Sequence, residues 1–139
     1  PLVIPMHWNY MSTTGRFSLP SAKPVSSGLA TGGNLSNLGN FNRVLSLFQI
    51  IDPEMPIQMV KTYVQVALAH PEPALMSEMA DVLGLAQSSV SRNVAALSDW
   101  NRHRVTGHDL VSARENPMDR RQKLVTLTAK GIKLREQML

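Results

Sequence analysis

Cysteine is absent from the 139-residue chain, which removes disulfides, thiolate zinc sites, a cysteine nucleophile and thiol-based redox switching. No apolar run reaches the roughly 18 residues needed to cross a bilayer, and the opening "PLVIP" lacks the basic start and long apolar core of a secretory signal. The expectation is no membrane partner and a cytoplasmic location. Equally missing are a glycine-rich phosphate loop, a nucleophile elbow, a metal-binding helix pair and a carboxylate dyad. The chain therefore reads as a non-enzyme, with no catalytic residues, no cofactor and no metal.

Acidic residues are in the minority, 10 against 14 Lys and Arg for a net charge of +4, and a hydrophobic content of 43% leaves enough to bury a core. A basic balance favours a polyanionic partner only where it is concentrated. Before Gln87 four basic residues face five acidic ones, whereas from Gln87 onward ten basic residues face five acidic ones. The positive charge belongs to the C-terminal third.

Residues 1–40 are rich in Ser, Thr, Gly, Asn and Pro and hold no period over a useful window, which predicts a flexible or loosely ordered arm carrying Trp8, Tyr10 and Phe17. Residues 41–139 read as one domain. Val44, Leu45, Leu47, Phe48 and Ile51 recur at helical spacing until Pro53 and Pro56 end one helix and begin the next. That second helix carries Ile57, Val60, Val64 and Leu68 to His70. In "LMSEMADVLGL" Ser77 can cap or enter a two-turn helix with Met79, Ala80, Val82 and Leu83 inward, and Gly84 supplies its exit.

In "AQSSVSRNVAALSDW" Val90, Val94 and Leu97 fall on one narrow helical stripe, with Ser88, Ser89, Arg92 and Ala96 opposite. A short helix, a glycine turn and a second helix with a small, polar outer face is a helix-turn-helix arrangement, whose second helix can enter a ~12 Å major groove. Ser and Ala are also ordinary outer residues of any packed helix. Further on, "LVSARE" and "KLVTL" alternate and are β-branched, and "NPMDRR" between them has turn chemistry. This predicts a two-stranded wing. Arginines at its tip suit a minor groove, where the potential is most negative, and Asp119 could hold Arg121 in a bidentate carboxylate pair. A solvated hairpin tip would look similar.

Together, "MPIQMVKTYVQVALAHPEPALMSEMADVLGLAQSSVSRNVAALSDW" and "NPMDRRQKLVTLTAKG" resemble the MarR family of winged-helix transcriptional regulators over residues 56–135. The likeness lies in the short helix with its Leu-Gly exit, "QSSVSR", the Asp-Arg-Arg tip and Leu-Thr-x-x-Gly before the last helix. It implies a mainly α fold with a small antiparallel β-wing, a winged helix-turn-helix of MarR-like type. It further implies a homodimer on pseudo-palindromic double-stranded DNA, acting as a repressor, with residues 87–99 in the major groove and 116–122 at the minor groove. Gln87, Ser88, Ser89, Ser91 and Arg92 match the family's recognition segment, and Asp119 and Arg121 its wing pair. Arg120 and Lys123 join them from charge and alternation. Many family members respond to small, often aromatic, effectors, and nothing in this sequence identifies one.

Three features depart from the family pattern. Ala86 stands where Ser often caps the recognition helix, residues 101–108 read as an inserted polar loop bearing Arg102 and Arg104, and only two to three helical turns follow Thr128 as N-cap. His103, His108 and Asp109 in that region read as surface residues rather than metal ligands. The methionines Met55, Met59, Met76 and Met79 read as core filler. Two other roles remain open at this level: a DNA-binding component of replication, partition or phage development, and a winged-helix protein-interaction module.

Overall fold

In the computed structural model residues 31–99 and 105–139 are described, and the expected contributions of residues 1–30 and 100–104, including Trp8, Tyr10, Phe17, Arg102, His103 and Arg104, lie outside them. The elements run α1 (Thr31–Ile51), α2 (Ile57–Ala69), β1 (Ala74–Leu75), α3 (Met76–Leu83), α4 (Gln87–Leu97), β2 (Val111–Asn116), β3 (Asp119–Leu127) and α5 (Ala129–Met138). By contact the chain divides inside α1, between Phe41 and Asn42.

The described part of the first unit, residues 31–41, is helical, a local order that the sequence does not signal before Phe41. The reason is visible in its side chains. Leu35, Leu38 and Phe41 are all exposed, and Ser36, Asn37, Gly39 and Asn40 between them have low helix propensity, so composition argues against the helix that the backbone forms.

In the second unit Phe48 of α1 meets Tyr63 of α2 edge to face, with ring centroids 5.3 Å apart at 72°. Around this pair Met59, Val60, Val66, Met76, Met79, Val90, Val94, Leu97, Leu110, Val111, Val125 and Leu134 close a single core. α2 keeps only part of the stripe its sequence offered, with Val60 buried and Val64 packed against the core. Met59, Val60, Tyr63, Val66 and Ala67 are buried, while Ile57 and Leu68 are exposed. "IQMVKTYVQVALA" is apolar nearly all round, so several stripes fit it, and the bulk of Tyr63 selects one. Val82 of α3 is likewise exposed rather than inward, and Ser77 lies inside that helix, whose N-cap is Leu75.

The sheet is antiparallel in the order β1-β3-β2. Strand β1 pairs Ala74 with Val125 and Leu75 with Leu124; at two residues it is too short to alternate, and the sequence reading passed over it. It ties the entry of α3 to the wing. Between α2 and α4, buried Thr62 gives its hydroxyl to Gln58 O at 2.7 Å and accepts Asn93 Nδ2 at 3.1 Å.

α5 begins as anticipated at Thr128, whose side chain accepts the Gly131 N–H at 3.1 Å and donates to Asp109 O at 2.6 Å. Gly131 is required there because a Cβ would overlap the Leu110 carbonyl. Arg43 of α1 donates to Gln137 O and Met138 O, and Arg135 of α5 donates to Ala67 O at 2.8 Å. Arginines thus satisfy carbonyls at the ends of both α5 and α2.

Two stability outcomes follow from this packing. Gly131→Ala should lower the unfolding free energy by about 1–3 kcal/mol, read as an earlier urea midpoint with unchanged slope. Tyr63 donates to Gly131 O at 2.7 Å, and burial pushes its phenol up to about 12 against the lowering effect of the Arg135 charge and backbone. The neutral phenol is the form the fold prefers, so its contribution is complete below pH 10 and is lost as pH climbs toward 12. Alkaline unfolding of the parent should show that loss, and Tyr63→Phe should remove the pH dependence assigned to this residue.

Candidate nucleic-acid interface

Two elements frame the site, and each is oriented by what it buries. At the end of α3, Gly84 adopts the left-handed conformation, φ 63 and ψ 32, and the Leu85 N–H returns to Ala80 O at 3.0 Å. This turn aims α4. Val90, Val94 and Leu97 are 0, 2 and 0% exposed, which fixes the helix rotation. Gln87, Ser88 and Arg92 then face out, with Ser89 and Ser91 half-buried beside them. Ala86 leads into the helix in extended conformation and offers no side-chain cap. Ser89 N–H and Val90 N–H return to Ala86 O at 2.9 and 3.2 Å, so the first turn of α4 closes without a side-chain cap.

The far end of α4 is clamped by the chain that returns from the loop. Gly107 N–H reaches Asp99 O at 2.8 Å, His108 N–H reaches Ala96 O at 3.2 Å and Leu110 N–H reaches Leu97 O at 2.8 Å. A Cβ on Gly107 would run into the Ser98 carbonyl. His108 Nε2 stands 3.4 Å from Asp52 Oδ2, and the His108 carbonyl accepts Lys130 Nζ at 2.9 Å. Among the described residues no three His, Asp or Glu side chains gather as a metal set.

The wing is less regular than an alternating hairpin. Its register runs from Val111↔Leu127 to Glu115↔Lys123 and then jumps to Asn116↔Asp119, leaving Arg120, Arg121 and Gln122 as extra residues on β3. The reason lies in the turn. Among the described residues only Asp109 and Gly84 have positive φ, so Pro117 and Met118 form a turn whose twist does not match a hairpin, and a bulge absorbs the mismatch. Side chains lock it. Asn116 Oδ1 accepts the Met118 N–H at 3.0 Å, Asn116 Nδ2 donates to Gln122 Oε1 at 3.1 Å, and Asp119 Oδ1 accepts the Arg121 N–H at 3.0 Å.

That last bond corrects the anticipated carboxylate–guanidinium pair. Asp119 holds the backbone of Arg121, and among the described residues no ion pair joins the two side chains. Arg120, Arg121 and Lys123 remain exposed.

An open groove separates helix and wing, lined by Met76, Gln87, Ser88, Ser91, Arg121 and Lys123. Five of the nine anticipated residues meet there. One wall offers an amide and two hydroxyls, the other two cations, and no acidic side chain lines it. Ser89, Arg92, Asp119 and Arg120 are not part of the lining. Met76 was read only as core filler; nothing in its spacing signals that a buried methionine also reaches a polar groove.

This arrangement has solved counterparts. RV1404 from Mycobacterium tuberculosis is similar at a TM-score of 0.56 and 22% identity, over 87% of this chain and 73% of that one. MepR from S. aureus, in a DNA complex, gives 0.56 at 17% identity over 77% and 78% of the two chains. The fold is the MarR-like winged helix. A mutant MarR from E. coli, complexed with operator DNA, gives a TM-score of 0.51 at 22% identity over 76% and 69%. No family model matches the sequence, and comparison with curated proteins finds no similar one. Among the described residues no helix is long and apolar enough to cross a membrane.

Because a hydrogen bond to a charged carboxylate contributes about 1.5 kcal/mol or more net, Asp119→Ala should speed amide exchange at Arg121 roughly tenfold while leaving α4 protection unchanged. Hydrogen exchange followed by NMR checks both halves of that statement.

Proposed function

We propose that the chain is a sequence-specific double-stranded-DNA-binding transcription regulator acting as a repressor, with residues 41–139 as its DNA-binding domain. The observation that carries this reading is the groove in which Gln87, Ser88 and Ser91 face Arg121 and Lys123. A phosphodiester strand has the chemistry this groove accepts: anionic oxygens for the cations of one wall and acceptors for the hydroxyls and amide of the other. With one strand seated there, the outward face of α4 lies along base edges and the wing lies over the flanking backbone.

In this reading Gln87, Ser88, Ser89, Ser91 and Arg92 work in the major groove. Arg92 is exposed and long enough for bidentate recognition of guanine. The small serines permit close approach. The wing works at the minor groove, where Arg120 and Arg121 supply charge, Lys123 meets phosphate, and Asp119 fixes the backbone from which Arg121 extends. The uncapped start of α4 adds a favourable dipole for a phosphate. The DNA complexes of MepR and MarR support the reading by analogy of fold. A homodimer with two recognition helices would read a pseudo-palindromic operator, and an effector that alters their spacing would release it.

Selection from a randomised duplex pool at low and near-physiological salt tests the proposal. An inverted repeat that survives the higher salt is the expected result; no retention at low salt overturns it. On the selected duplex Arg121→Ala should weaken binding roughly tenfold or more and make the salt dependence shallower.

A further inference from the structure

At the extremity of the wing are two side chains that no phosphate contact requires. Pro117 and Met118 form the turn, ahead of the bulged arginines. Met118 is 91% exposed, the most exposed large apolar side chain among the described residues. It is also unlike the other described methionines, since Met59, Met76 and Met79 are buried and Met55 and Met138 are half-buried against the core. Turn positions are normally filled by Gly, Pro, Asn, Asp or Ser, so Pro117 fits the turn and Met118 is the exception.

The tip is also held in shape. Pro117 has its φ fixed by its ring, the Met118 N–H is bonded to Asn116 Oδ1 at 3.0 Å, and Asn116 is tied to Gln122 at 3.1 Å. An apolar side chain is therefore presented on a braced turn, followed by Asp119, whose carboxylate is engaged by the Arg121 N–H, and then by Arg120 and Arg121. A cationic collar with an apolar point matches a duplex groove, which is anionic at its rim and stacked at its floor. Methionine and proline are among the side chains that can wedge between base pairs, at an unstacking cost least at flexible pyrimidine–purine steps. The flexible thioether can follow an irregular gap.

We infer that Met118, backed by Pro117, is a minor-groove wedge that opens a base step beneath the wing and so makes the protein select deformable flanking sequence. The inference rests on the DNA-binding reading and adds to it a source of specificity that needs no hydrogen bond to a base. Arg120 and Arg121 hold the wing in the groove, and Met118 reads how easily the groove deforms.

The test uses the full chain and the duplex selected above, with 2-aminopurine placed at the step under the wing and a donor–acceptor dye pair on the duplex ends. Binding of the parent should raise 2-aminopurine fluorescence and shorten the end-to-end distance. Met118→Ser should bind the central repeat but lose at least half of both signals, with affinity down about fivefold for duplexes carrying a pyrimidine–purine step there. Met118→Leu, which keeps an apolar point, should restore them. If Met118→Ser matches the parent in both signals, or the parent binds without either signal, the wedge is overturned while the regulator reading stands. If the parent retains no duplex at low salt, both fall together.

Discussion

The placement of the site depends on one close approach, the backbone of Gly131 against the carbonyl of Leu110. Leu110 is wholly buried, its N–H is bonded to the last turn of α4 at Leu97, and its carbonyl accepts Thr128 N–H at 3.1 Å. One residue therefore joins the end of α4, the start of β2 and the N-terminus of α5. Only a residue without a Cβ lets α5 reach that carbonyl. With Tyr63 bonded to Gly131 from the other side, α2 is drawn into the same junction. This buried crossing joins the elements that flank the groove between α4 and the wing.

How much of this was legible in the sequence varied with the kind of signal. The stripe Val90, Val94, Leu97 was legible because α4 is otherwise polar and small, so only one face can be buried. In α2 the opposite holds: too many apolar residues made the period ambiguous, and the true face was decided by packing against Phe48, a contact between residues on separate helices. The start of α1 at Thr31 was hidden because Ser36, Asn37, Gly39 and Asn40, interleaved with its leucines, are poor helix formers. Glycine and threonine chemistry at Gly84 and Thr128 was legible because it is local, involving backbone only a few residues away.

The candidate site divides along the same line. That Gln87, Ser88, Ser91, Arg121 and Lys123 belong together could be anticipated from a helix followed by a basic hairpin, since both motifs are contiguous. The bulge could not, because register depends on the twist mismatch of the Pro117–Met118 turn, and strand alternation is silent on it. The role of Asp119 changed for that reason. In a regular strand its carboxylate would be free to reach along the surface to a guanidinium; in a bulge the nearest unsatisfied donor is the Arg121 N–H, and that bond wins by proximity.

This exchange alters the electrostatics of the wing. A carboxylate engaged by a guanidinium cancels the charge it orients, whereas one engaged by a backbone N–H shapes the chain and leaves the cation's donors unspent. Charge-assisted bonds to phosphate are about twice as strong as neutral ones, so a guanidinium without a carboxylate partner retains its full capacity for an anion. The same logic holds for α4, where the missing cap at Ala86 leaves backbone N–H groups beside Gln87 and Ser88. Helix start and wing thus keep donors at the surface they share, the one by lacking a side-chain cap and the other by turning its carboxylate to the backbone.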